Sequence, residues 1–297
     1  MMASKWKEEL KFLGFISPWI IGFLVFFVVP AFTSLLYSFA DYNSVAAPVW
    51  IGFKNYVDLL HDHIYLKSFG NTIYFVIIAV PVTVTFQILT SVVLNVDVKG
   101  VHFFRTFYYL PYLVPPVATV ILWVMLFGTD SGMVNQLLSI VGLPKFDWFG
   151  TESLVKPIII TIGIWMSGGP VLVFLAALKG IPGHLYEAAK IDGANVVSRF
   201  FRITLPMLSP SILFAVVMQM IYYFQMFTES MLLNNGGPNY ASRTYMFNTF
   251  QTAFRDFKFG YAMAQSWILF IIILILTLIV MKTSQKWVYY ESEKGNG

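Results

Sequence analysis

The chain has 297 residues, 58% of them apolar, 18% aromatic and only 11% charged, with a mean hydropathy of +0.71. So few charges cannot cover the surface of one or two water-soluble cores, since soluble domains carry about 25%. The 29 Phe, 16 Tyr and 8 Trp exclude a disordered chain, and the lack of cysteine excludes disulfides, thiolate metal sites and thiol nucleophiles. A net charge of +4 is a weak hint of nucleic acid in a soluble protein; here it reflects where charges sit around a bilayer, and no nucleic-acid partner is expected. The composition is that of an all-α polytopic membrane protein.

Crossing about 30 Å of hydrocarbon takes about 20 apolar residues. Six stretches qualify, at 13–39, 70–95, 103–127, 157–178, 206–233 and 262–281. The first follows Lys5, Lys7 and Lys11 like a signal peptide, but its apolar run is about twice a secretory core of 7–15 residues, so a retained helix is expected. With the N-terminus inside, cytoplasmic segments hold twelve cations: Lys5, Lys7, Lys11, Lys99, Arg105, Lys179, Lys190, Arg199, Arg202, Lys282, Lys286 and Lys294. The other side holds seven: Lys54, Lys67, Lys145, Lys156, Arg243, Arg255 and Lys258. That bias places both termini in the cytoplasm. The outer loops 40–69, 128–156 and 234–261 are long and rich in turn residues, and should hold short interfacial helices with Trp50, Tyr56, Trp148, Tyr240 and Tyr261 at headgroup level. One transmembrane domain over 1–297 is expected, with no appended soluble domain.

The cytoplasmic segment 181–206 reads as two short helices around a sharp break. Pro182 can start the first, Gly193 suits the left-handed residue that ends it, Asn195 can cap the second through Phe200 and Ile203, and Pro206 opens the fifth span. Each helix is shorter than the roughly 12–15 residues that are marginal alone in water, and the other cytoplasmic pieces are short tails and turns. A separate cytoplasmic protein is the natural cover.

The pattern Glu187-Ala188-Ala189, Asp192-Gly193-Ala194, Phe200 and Ile203-x-Leu205-Pro206 resembles the EAA loop of ABC-importer permeases, in the form used by the maltose-type, oligosaccharide-importing branch. About ten positions over twenty residues agree. Asn71-Thr72 and Asn235-Gly-Gly-Pro-Asn239 resemble fragments of the same branch, so the likeness runs through most of the chain. The resemblance implies a type I ABC-importer permease architecture in a prokaryotic inner membrane. It implies a second homologous permease in a heterodimer, two ATP-binding subunits docked on Glu187, Ala188, Ala189, Asp192, Gly193, Ala194 and Phe200, and an extracytoplasmic sugar-binding protein. ATP and Mg would sit on the ATPase subunits, with no cofactor, metal or catalytic residue in this chain. No P-loop pattern occurs in the sequence.

Two features point to a translocation path. At 100° per residue, Gln219, Tyr222, Tyr223, Met226, Glu229 and Ser230 fall on one helical face, a mix of hydrogen-bonding groups and flat rings that suits a sugar and equally a polar helix–helix interface. In the fourth span, Trp165-Met166-Ser167-Gly168-Gly169-Pro170 forms a break that could line a cavity or merely kink a packing helix. In the resembled family the middles of these two spans line the cavity, which implies Trp165, Gln219, Tyr222, Tyr223, Met226 and Glu229 as the substrate path. Asn71 and Thr72 are expected to cap the second span. The Asn235–Asn239 segment is expected to touch the binding protein or form a plain turn. His61-Asp62-His63 is expected to be solvated rather than to bind metal. An ion-coupled secondary transporter is the alternative function, with Glu229 its one acidic candidate within a span; an intramembrane serine hydrolase lacks a membrane-embedded His.

Overall fold

A computed structural model describes residues 2–289, with side chains from residue 11 onward. Lys294 lies outside the described residues, as do the side chains of Lys5 and Lys7. Helices dominate, and among the described residues the one strand pairing is a two-residue hairpin, Ala40–Asp41 antiparallel with Val49–Trp50. Three helices are long and apolar enough to cross a bilayer alone: Lys11–Tyr37, His63–Leu94 and Phe259–Ser284. Three further pairs are bent at a short break, so up to six spans result if each pair counts as one.

The breaks follow from local chemistry. Val101–Leu113 and Pro116–Phe127 meet at 100°, so the third apolar stretch is not the straight helix its hydropathy predicts. Val114 precedes the Pro115-Pro116 pair and is extended, at ψ 133°, as a residue crowded by a following proline must be. Glu152–Trp165 and Gly168–Gly180 meet at 50°, at the break expected from Pro170 and the two glycines before it. Val196–Met207 and Ser209–Phe224 meet at 68°. The helix of the second span starts at His63, seven residues before the hydrophobic stretch. Asn71 and Thr72 therefore sit inside a helix and do not cap it. Helices do occupy the loops expected on the outside, at Lys54–Leu59, Met133–Ile140 and Tyr245–Phe254.

The chain forms two compact units, residues 1–62 with 249–270, and residues 63–248 with 271–297. In the first, Asn55 is buried and its amide donates to the carbonyls of Ser38 and Ala40 at 2.8 and 3.0 Å. The Ser38 and Tyr56 hydroxyls are 2.6 Å apart, and Phe39 stacks on Trp50. Asp62 accepts from the Tyr261 hydroxyl at 3.1 Å. In the second unit, one face of helix His63–Leu94 is fully buried at Ser68, Thr72, Phe75, Ala79, Thr83, Gln87 and Ser91. These lie three or four residues apart, so a mostly polar stripe faces protein and an apolar face is left for lipid.

Asn55→Leu keeps the volume but strips two buried carbonyls of their donor. It is expected to lower the unfolding free energy by about 1–3 kcal/mol, read as a fall in the melting temperature of the detergent-purified chain.

Candidate functional sites in the loop and the broken fifth span

The segment after Gly180 folds as its sequence predicts. Helix Gly183–Ile191 ends in a Schellman turn: Gly193 takes φ +78°, its N–H donates to Lys190 O at 3.1 Å, and Ala194 N–H reaches back to Ala189 O at 2.9 Å. Two residues later Asn195 caps the next helix, its Oδ1 accepting from Ser198 N–H at 2.8 Å. That helix runs further than expected, past Ile203 through a π turn to Met207. The Tyr186 and Thr204 hydroxyls, 2.9 Å apart, tie the two helices together. A cavity of about 300 Å³ opens between them, walled by Ala189, Asp192, Gly193, Ala194, Arg199 and Arg202 among others. Glu187, Ala188, Asp192 and Gly193 are exposed and Phe200 is half-buried. Large apolar side chains also face outward: Ile191 is 88% exposed, Val196 71% and Val197 63%. A loop stiffened at both helix ends and greasy on its outside is built to be covered.

The fifth span departs from expectation. Its helix stops at Phe224, and Gln225–Phe227 break the path before a short helix Thr228–Asn234. Gln219 to Ser230 are therefore not one continuous helical face. Residues far along the chain hold the break in place. The Thr244 hydroxyl donates to Met226 O at 2.7 Å, and Ser230 Oγ donates to Ser242 O at 2.7 Å. Across the break the Tyr222 hydroxyl donates to Glu229 Oε1 at 2.7 Å. The loop that supplies Thr244 is itself clasped from the second span, where Asn71 donates to Tyr240 O and Arg243 O at 2.7 and 2.9 Å and Thr72 Oγ1 accepts from Tyr245 N–H at 2.8 Å. The Asn235–Pro238 turn is held from within as well: Asn234 donates to Phe149 O and Gly237 O, and Ser242 donates to Gly237 O.

Burial sorts the residues expected on the path. Trp165 and Tyr222 are exposed for over a third of their surface and Gln219 is half-buried. Tyr223, Met226 and Glu229 are buried within the chain. Tyr223 lies in a three-helix junction. Its hydroxyl is 3.1 Å from Thr83 Oγ1, and a Cβ on Gly163 would come within 2.5 Å of it, so the absence of a side chain at 163 makes the seat. Gly168 and Gly169 play a similar part. A Cβ there would meet Tyr108 O at 2.8 Å or the Tyr112 ring at 2.6 Å, so both glycines admit the neighbouring helix closely. Trp165 meets Trp123 edge to face, with ring centroids 6.2 Å apart. Thr83, Gly163, Thr244, Asn71 and Thr72 hold the geometry around these side chains, and sequence reasoning missed or misplaced them. The polar residues Thr83, Gln87 and Ser91, four apart in the second span, were the available signal for Thr83.

A doubly capped loop that leads into a polar, broken fifth span fits a multi-pass transport component. Residues 87–289 match the family described as "Binding-protein-dependent transport system inner membrane component". The chain is 41% identical over 293 residues to the probable ABC transporter permease YesP of Bacillus subtilis, covering 97% of this chain and 94% of that one. It is 29% identical to the sn-glycerol-3-phosphate transport system permease UgpA of Shigella flexneri, covering 98% of each. Its fold matches a chain of a bacterial ABC transporter that imports the acidic polysaccharide alginate, at a TM-score of 0.86 and 25% identity over 96% of this chain and 98% of that one. The chain belongs to the binding-protein-dependent transport family, as a multi-pass inner-membrane component. Membership sets aside the ion-coupled secondary transporter.

Gly163→Ala is expected to evict the Tyr223 hydroxyl and break its contact with Thr83. In a double-mutant cycle of melting temperatures, Gly163→Ala and Thr83→Val should then be strongly non-additive, by about 0.5–3 kcal/mol; additive losses would show that Tyr223 does not couple the two positions.

Proposed function

We propose that the chain is one of two homologous permease subunits in an ATP-driven importer of a carbohydrate, an oligosaccharide, delivered by an extracytoplasmic binding protein. In this reading residues 1–297 make six spans with both termini cytoplasmic, each bent pair counting as one span. The segment 181–206 is the coupling loop, docked on one of two ATPase subunits that hold ATP and Mg. A likeness to permeases for glycerol phosphate and alginate supports the polyhydroxylated cargo, and the excess of cations on one side supports the orientation.

The observation that carries the reading is the doubly capped loop with Ile191, Val196 and Val197 turned outward. Glu187, Ala188, Ala189, Asp192, Gly193, Ala194 and Phe200 provide the docking surface. Glu187 makes a polar contact, and the apolar side chains supply area that is dry only when a partner covers it. The second helix of the loop continues to Met207 and turns into the fifth span at Leu208, so a push on the loop is delivered to the helix that bears Gln219 and Tyr222. Trp165, Gln219 and Tyr222 form the side of the path that sugar touches, rings against its apolar face and polar groups against its hydroxyls. Tyr223, Met226 and Glu229 stand behind them, and Glu229 fixes the direction of the Tyr222 hydroxyl.

Gly193→Val forces a β-branched residue into the left-handed region, at about 1–3 kcal/mol of local strain, although open space surrounds the site. Membrane insertion is expected to stay intact while substrate-stimulated ATP hydrolysis by the assembled transporter is lost. Normal coupling in that variant would refute the lever. Glu229→Ala is expected to reduce uptake several-fold with the complex still assembled on size exclusion; dissociation would assign Glu229 to packing instead.

A further inference from the structure

A second cavity, of about 510 Å³, lies between the second and fifth spans near the coupling loop. Val80, Val84 and Ile88 wall one side, Leu205, Ile212 and Val216 the other, and Trp287 closes one end. Its surface is almost wholly apolar. Ser209 on its wall is already satisfied, donating to Pro206 O at 2.6 Å and accepting from Tyr289 N–H at 2.8 Å. A sugar would find few groups to bond in such a site, and water would find it equally poor. An apolar chain fits.

Charge close in the chain to Trp287 narrows the occupant further. Lys286 adjoins Trp287 in sequence and Lys282 lies in the last turn of the preceding helix. Both are exposed, and among the described residues neither has an ion pair or side-chain hydrogen bond. A half-exposed tryptophan beside free lysines at the end of a span is the arrangement that meets lipid headgroups. The sequence beyond Tyr289 is Tyr290-Glu-Ser-Glu-Lys-Gly-Asn-Gly, too polar to be the apolar occupant.

We propose that this groove holds an acyl chain of an anionic phospholipid whose phosphate rests on Lys282 and Lys286. The inference takes from the functional reading only that this end of the bundle faces the cytoplasm. Leu205 and Pro206 belong both to the groove wall and to the end of the coupling loop, so the bound chain props the joint through which the loop moves the fifth span. Anionic lipid thereby tunes coupling.

The test uses the assembled transporter in nanodiscs of phosphatidylcholine, alone or mixed with phosphatidylglycerol, followed by native mass spectrometry of the released complex. Selective retention of phosphatidylglycerol is expected, weakened about fivefold for each charge removed in Lys282→Gln and Lys286→Gln. Ile212→Trp, which fills the groove, should abolish retention in a complex that still elutes intact. Retention without headgroup preference, or unchanged by both lysine substitutions, overturns the proposal. So does efficient cross-linking of Val216→Cys to the second permease, because protein would then occupy the groove. Lipid retention is read without transport, so its failure is separable from failure of the importer assignment.

Discussion

Backbone polar groups inside a bilayer have no water to turn to, and every departure from a continuous helix must be made good by the protein itself. The fifth span shows how this is met. Its helix ends at Phe224, and the carbonyl of Met226 is taken up by the hydroxyl of Thr244, eighteen residues away. Thr244 is in turn positioned by a loop that Asn71 and Thr72 hold from the second span. The polar side chains of this half of the molecule are thus spent first on keeping a broken helix legal in a membrane. What remains exposed, Gln219, Tyr222 and Trp165, is the surface proposed above to meet the cargo.

The loop at 181–206 obeys the opposite logic. On the cytoplasmic side proposed for it water is plentiful, and stiffness is the scarce property. Gly193 and Asn195 end one helix and begin another within three residues, which leaves the joint little freedom, and Tyr186 locks the pair through Thr204. The apolar area that the proposed ATPase subunit would cover is the loop's uncovered Ile191, Val196 and Val197. Its second helix leads without interruption to the 68° bend at Leu208, so displacement of the loop cannot be absorbed before it reaches the membrane.

What could be read from the sequence divides along the same line. The loop was legible almost residue by residue, because caps and left-handed glycines are local signals written within four positions of where they act. The break at Ser167 was legible from glycines and proline. The break at Gln225 was not, since Gln225-Met226-Phe227 contains neither and its cause lies at Thr244. Hydropathy found the apolar stretches yet misjudged two shapes. It smoothed over the bend at Pro115-Pro116, and it started the second helix at 70 when the helix begins at His63, because an apolar window marks hydrocarbon thickness and not helix length. Tyr223 looked like a ligand from its neighbours in the sequence; its burial depends on Gly163 and Thr83, which only the fold brings near.

Helix Lys11–Tyr37 buries none of its most apolar window within the chain. Within that window oil solubility is the main demand, which most aliphatic or aromatic side chains meet about equally well; the specific contact comes later, where Ser34 accepts from Trp267 Nε1. Around Tyr222–Tyr245, by contrast, single hydroxyls and amides are specified. Random change should therefore drift freely through the first helix while the fifth span and its clasping loop stay nearly frozen, dividing one polypeptide into a portion that selection reads letter by letter and a portion it reads only for greasiness.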